Sequence, residues 1–193
     1  MQAVGGETLN ADEKAATRFT PRAVAVLAAT MLVAVAVDQW VKHLSTENLV
    51  PGEPVRILGG LVYLSLLRNS GAAFSLGSDY TWIFPLITLV VVGVIGWMAT
   101  RLRSLPWGLS LGLVLGGAIG NLIDRLFRAP APFHGHVVDM ISLFGPNAEY
   151  FAVFNIADSC LTVGVVLAVL LELTGRQRDG SRITKEKAKE ETA

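Results

Sequence analysis

Cysteine is nearly absent from this 193-residue chain: Cys160 stands alone, so no internal disulfide can form and no thiolate cluster can hold zinc. Cys160 also lies within an apolar run, where a free thiol behaves as a small packed hydrophobe. Histidine is scarce, limited to His43, His134 and His136. No HExxH helix occurs, and the serines have no base beside them in sequence, so metalloprotease and serine-hydrolase motifs are both missing. Two histidines flank Gly135 near Asp139 and could suggest a metal site, but solvation in a loop is the simpler expectation. Excess charge of one sign is lacking too. Sixteen basic and 16 acidic residues cancel, which gives no reason to expect nucleic acid as a partner. No Gly-rich loop follows a strand to cradle phosphate, and no cofactor motif is present.

Apolar sequence, by contrast, is in surplus. The chain is 52% hydrophobic, more than a soluble domain of this size needs to fill its core, which calls for lipid as the solvent. Four segments, near 23–43, 82–100, 105–126 and 151–173, have the length and composition of membrane-spanning helices. The first follows Lys14, Arg18 and Arg22, so a cleaved secretory signal is its rival reading. No small-x-small cleavage site closes the run; Asp38, Gln39, Trp40 and Lys42 continue it at helical spacing instead. Basic residues collect before span one, between spans two and three (Arg101, Arg103) and after span four, which predicts cytoplasmic termini.

The polar ends, 1–20 and 176–193, have the composition of disordered cytoplasmic tails around a membrane domain of 21–175. Within that domain the outer loop from about 49 to 79 carries β-branched and aromatic residues punctuated by glycine, predicting a small extracytoplasmic sheet. The loop from about 127 to 150 opens with APAPFHGH and is expected to start as an irregular connection. The expected fold is mainly α and integral to the membrane, with four transmembrane helices and a small β cradle.

Charge inside a bilayer is costly, so intramembrane carboxylates point to function. Up-and-down topology puts Asp38, Asp124, Asp139 and Asp158 at one depth, with Asp158 expected about two turns into span four; Glu172 sits at the other end, suited to an interface. Asn121, Asp124 and Arg125 share one helical face and are within reach of one another, and Asn155 and Asp158 repeat the i, i+3 pattern. Gly112, Gly116 and Gly120 recur every fourth residue, the spacing that lets a second helix approach closely. Asn69 adds an amide from the outer loop, and Gly71 would permit a tight backbone approach. Two facing aspartates can hydrolyse an amide with a shared proton, the ionised one activating water and the protonated one polarising the carbonyl. The same aspartates could serve only as structural partners for Arg125 and Arg128. A proton-coupled transporter or a noncatalytic assembly subunit would also place carboxylates in a membrane, although no broken helices or internal repeats are evident.

Five motifs in order, Asp38 in VDQWVK, Asn69 in RNSGAAFS, the run GGAIGNLIDR, HVVDM around Asp139 and FNIAD ending at Asp158, closely resemble bacterial lipoprotein signal peptidase, or signal peptidase II, over about residues 23 to 173. The resemblance implies a membrane aspartic endopeptidase of the bacterial cytoplasmic membrane, its active site toward the outer leaflet. It implies removal of signal peptides from diacylglyceryl prolipoproteins immediately before the lipidated cysteine, with Asp139 and Asp158 as the catalytic pair. Asp38, Asn69, Gly71, Asn121, Asp124, Arg125 and Asn155 would support the site or bind substrate. It further implies inhibition by globomycin-type cyclic peptides, no metal and no cofactor; a monomer is expected. The IADSC segment around Cys160 looks like a lipobox, but it lies in span four, so the chain is expected to be a processor rather than a substrate.

Overall fold

The computed structural model describes residues 20–70 and 83–183. Helix α1 spans Pro21–Asn48, α2 Ile83–Ala99, α3 Leu105–Phe127 and α4 Ile156–Leu173; strands β1 (Val55–Ile57), β2 (Val62–Asn69) and β3 (Val137–Leu143) form one antiparallel sheet in that order. Proline opens both α1 and α3, where its fixed φ suits the first turn and its missing N–H costs nothing. Among the described residues, three helices are long and apolar enough to cross a bilayer, while α2 is a shorter apolar helix of 17 residues. The four expected spans therefore correspond to three full-length helices and one short one, which adjoins the undescribed residues 71–82.

Helix α3 is the central element. Its glycines face two neighbours at once. A Cβ on Gly108, Gly112 or Gly116 would meet α1 at 2.6 Å from the Ala23 carbonyl oxygen, 2.7 Å from that of Leu27 and 2.6 Å from the Ala34 Cβ. On the adjoining face, a Cβ on Gly117 would collide with the Ala157 carbonyl oxygen of α4, and one on Gly164 of α4 would lie 2.9 Å from the Ser110 carbonyl oxygen. Backbone contact this close is what small residues permit where lipid offers no hydrophobic drive for helix association. The Ser110 hydroxyl donates to the Gly164 carbonyl at 2.8 Å across the same seam.

The apolar core gathers at the end of the bundle where α1 and α3 begin and α2 and α4 finish: Ala23, Leu27, Ile95, Leu102, Trp107, Leu111, Leu115 and Leu171. Large side chains such as Leu32, Trp40, Leu89, Val90 and Val166 remain exposed on the helix flanks, as a lipid-facing surface requires. Residues 176–183, whose composition predicts the start of a disordered tail, are ordered instead and turn back over this end. The Trp107 indole N–H donates to the Arg176 carbonyl at 2.7 Å, and the amide of Arg103 donates to the Arg178 carbonyl at 2.9 Å.

Two expectations need correction. The sheet is not confined to 49–79, because its third strand comes from 137–143, in the second outer loop after its irregular start; β2 pairs with it from Val62↔Leu143 to Asn69↔Val137. A short strand that is buried on both faces shows no apolar–polar alternation, and β3 becomes apparent only once β2 supplies its partner. Helix α4 begins at Ile156, so Asp158 lies in its first turn and not two turns deep. Residues before it are extended instead, with Phe154 bridged to Ile141 of β3.

Candidate active site

The end of the bundle away from the apolar core is polar and buried. Strand β3 carries Asp139 into it. One residue is inserted in β2 relative to β3 between the pairs Leu64↔Ile141 and Leu67↔Asp139, a bulge of the kind that re-aims side chains beside functional sites. Beyond the bulge Asn69, paired with Val137, is the diagonal neighbour of Asp139, and its Nδ2 donates to Asp139 Oδ2 at 3.0 Å. Asn155 Nδ2 donates to the other oxygen, Oδ1, at 2.7 Å.

Asp158 is held by a helix cap. Asn155 is the N-cap of α4: its Oδ1 accepts from the Asp158 amide at 2.9 Å, and Asp158 Oδ2 accepts from the Asn155 amide at 3.1 Å. This reciprocal capping box stabilises by about 0.5–2 kcal/mol and also fixes the carboxylate at the positive end of the helix dipole. The remaining oxygen, Oδ1, accepts from Asn121 Nδ2 of α3 at 2.8 Å. Asn155, wholly buried, thus touches Asp139 through its side chain and Asp158 through both side chain and amide. The two aspartates line one cleft of about 1040 Å³, together with Asn69, Asn121 and Arg125; its walls are apolar, with Ile87, Val91, Val114, Leu161 and Val165 among them.

Asp139 is 2% exposed, and burial pushes its carboxyl up to about 7. The neighbouring Asp158 charge acts in the same direction, while the amides of Asn69 and Asn155 and the Lys42 charge oppose it. A raised carboxyl value means the folded state holds the proton more tightly, so the stability this group contributes falls as pH rises from the ordinary carboxylate range to about 7 and is flat above it.

Asn121, Asp124 and Arg125 share α3 but reach different partners. Asp124 binds Lys42 at 2.9 Å and Arg128 at 2.6 Å and accepts the Val138 amide at 3.2 Å. Arg125 donates to the carbonyls of Asn69, Ser70 and Gly135 at 3.2, 2.9 and 3.3 Å, tying the end of β2 to the approach to β3. Asp38 accepts the Ala157 amide at 2.9 Å and pairs with Lys42 at 2.8 Å. Gly71 lies outside the described residues. His134 is exposed and His136 half-buried, and among the described residues no group of three or more His, Cys, Asp or Glu is placed to hold a metal ion.

Sequence reasoning missed two members of this site. Lys42 is wholly buried between Asp38 and Asp124, and Gln39 Nε2 donates to the Gly120 carbonyl at 3.0 Å and to Asp124 Oδ1 at 3.2 Å. The signal was available: a lysine four residues after an aspartate inside an apolar helix has few ways to be stable except paired with it.

These features define a multi-pass helical membrane protein with two amide-bridged carboxylates at the head of an apolar cleft. The family model described as Signal peptidase (SPase) II matches residues 30–174. Lipoprotein signal peptidase of Mycobacterium leprae (strain Br4923) is 45% identical over 163 residues, which cover 84% of this chain and 79% of that protein. Those of Rhodococcus jostii (strain RHA1) and Streptomyces coelicolor (strain ATCC BAA-471 / A3(2) / M145) are 47% and 46% identical, covering 78% and 83% of this chain and 73% and 76% of theirs. Two solved structures of a bacterial membrane enzyme, determined by the in meso method at 2.3 and 1.9 Å, superpose with TM-scores of 0.69 and 0.66 at 25% and 26% identity. They cover 88% and 82% of this chain and 98% and 97% of theirs. The chain belongs to the lipoprotein signal peptidase (signal peptidase II) family, and is therefore a peptidase of the membrane that acts on prolipoprotein signal peptides.

Proposed function

We propose that this peptidase is of the aspartic type and cleaves diacylglyceryl prolipoproteins immediately before the lipidated cysteine, with Asp139 and Asp158 activating water between them. The observation that carries the reading is the Asn155 bridge, which holds both carboxylates at the head of one apolar cleft. The scissile carbonyl takes a hydrogen bond from the protonated carboxyl, and the ionised one removes the proton from the attacking water. Burial favours the protonated form of Asp139, and the pair loses its protons as a unit.

The signal helix and acyl chains of the substrate lie against the apolar wall of the cleft, with the polypeptide around the scissile bond near Asn69 and Arg125. Both termini are cytoplasmic and the site faces the outer leaflet, as the distribution of Arg and Lys favours. The enzyme works as a monomer, without metal or cofactor. Purified protein in detergent, given a diacylglyceryl lipobox substrate and assayed by gel shift, will cleave in the presence of chelator, and a globomycin-type cyclic peptide will block it. Chelator-sensitive cleavage, or none by well-folded protein, would reject this reading.

A pH profile follows from the state of Asp139. Because its proton is held up to about 7, kcat/KM will decline as pH rises through neutrality and the pair loses the shared proton. A rate that is flat from about pH 6 to about 9 would contradict a protonated Asp139 as the acid.

A further inference from the structure

We propose that Lys42 is a positioning residue for the reaction: its single ammonium group holds the backbone beside each catalytic aspartate, and the side chain of one of them, in place. This inference rests on the two-aspartate reading above. An ammonium has three N–H donors and no acceptor, and here the acceptors are Asp38 Oδ2 at 2.8 Å, Asp124 Oδ2 at 2.9 Å and Asn121 Oδ1 at 3.0 Å. Lys42 is wholly buried, as are both carboxylates. Each acceptor leads to the catalytic pair by one further bond. Asp38 Oδ1 takes the amide of Ala157, the residue before Asp158. Asp124 Oδ2 takes the amide of Val138, the residue before Asp139.

The third branch sets an orientation. Asn121 Oδ1 accepts from Lys42 and, at 3.1 Å, from Asn155 Nδ2. Two donors on the oxygen side exclude the flipped amide, so Nδ2 must point to Asp158 Oδ1, which it meets at 2.8 Å. Strand β3, helix α4 and the Asp158 carboxylate are thereby referred to one point on α1. Charge balance is local: Asp38 and Asp124 are matched by Lys42 and by Arg128, which also donates to Gln39 Oε1 at 3.2 Å.

Lys42→Met approximates the length of the side chain and removes the charge and all three donors. The expected result is a fall in kcat of about 100-fold or more with KM changed less than about 3-fold, since small displacements of catalytic groups act on the chemical step. The groups that face Asp139 are Asp158 of α4, Arg125 of α3 and Lys42 of α1. Loss of the Lys42 charge makes the proton on Asp139 harder to remove, so the alkaline limb of the kcat profile will also move to higher pH. Lys42→Arg will not restore the rate, because a planar guanidinium cannot present three donors to these converging acceptors.

Removing the cation alone leaves two buried carboxylates short of a partner and could unfold the protein. Lys42→Met combined with Asp38→Asn restores neutrality, and the amide oxygen introduced by the second change can still accept the Ala157 N–H. This double variant will melt near the parent and remain slow. Near-parental kcat in either variant, or a slow Lys42→Met variant with an unshifted pH profile, would overturn the proposal. Asp139→Asn and Asp158→Asn run in parallel keep the two readings apart. If those two are inactive while Lys42→Met is normal, only the positioning role fails; if either of them retains turnover, the two-aspartate reading fails first.

Discussion

Asp139→Asn and Asp158→Asn will each lower cleavage of a diacylglyceryl prolipoprotein by about 10³-fold or more while leaving a folded, membrane-inserted protein. Neither amide can carry the proton inventory of the step. An amide at either position can neither donate as a carboxylic acid nor take a proton from water. The structure also gives the cost in stability. Both oxygens of Asp139 accept an N–H, from Asn69 and Asn155, and both oxygens of Asp158 do so from Asn121 and the Asn155 amide. An asparagine at either position must turn its own NH2 toward one of those donors, an unmade hydrogen bond worth about 1–3 kcal/mol. Melting in detergent will therefore fall by a few degrees. Turnover within about tenfold of the parent in either variant would remove that residue from the chemistry.

Gly117→Val is expected to have the second large effect, this time on the fold. An added Cβ on Gly117 collides with the Ala157 carbonyl oxygen and comes within 2.8 Å of the Leu161 Cγ, so α4 must move away from α3. Such overpacking costs about 1–3 kcal/mol, and more where backbone cannot yield. The displaced turn contains the N-cap region that presents Asp158, so activity will be lost together with stability. Gly93→Ala is the matched control. Nothing lies within 4 Å of a Cβ placed there, and cleavage and melting will match the parent. Equal melting and equal cleavage for Gly117→Val and the parent would mean that α3 and α4 do not rely on this close approach.

The contrast between those glycines marks the limit of what pattern reading reaches. Gly112, Gly116 and Gly120 announce a helix contact by their spacing along one helix, and the contact is there, against α1. Gly117 and Gly164 have no such local period, because the reason for each is a backbone on another element. Strand β3 is hidden for a similar cause: seven residues with an aspartate among them carry little strand signal until β2, about 70 residues earlier in the chain, supplies the ladder. The depth of Asp158 is obscured because FAVFN prolongs an apolar run without prolonging the helix. The helix boundary is nonetheless written locally, in an asparagine three residues before an aspartate, which is a cap pattern.

Membrane residence, the helical class, the family and the identity of the polar residues with reason to meet are determined by the sequence alone, since hydropathy, helical period and motif order are all properties of neighbouring residues. How those residues connect to one another follows instead from the fold. Lys42 reads locally as one cation after Asp38, yet its role depends on Asp124 and Asn121 arriving from α3. Asn155 reads as a helix cap, yet it also binds Asp139 because β3 passes beside it. A buried ion or amide is stable only when partners from several elements converge on it, and convergence is a property of the fold rather than of any one segment.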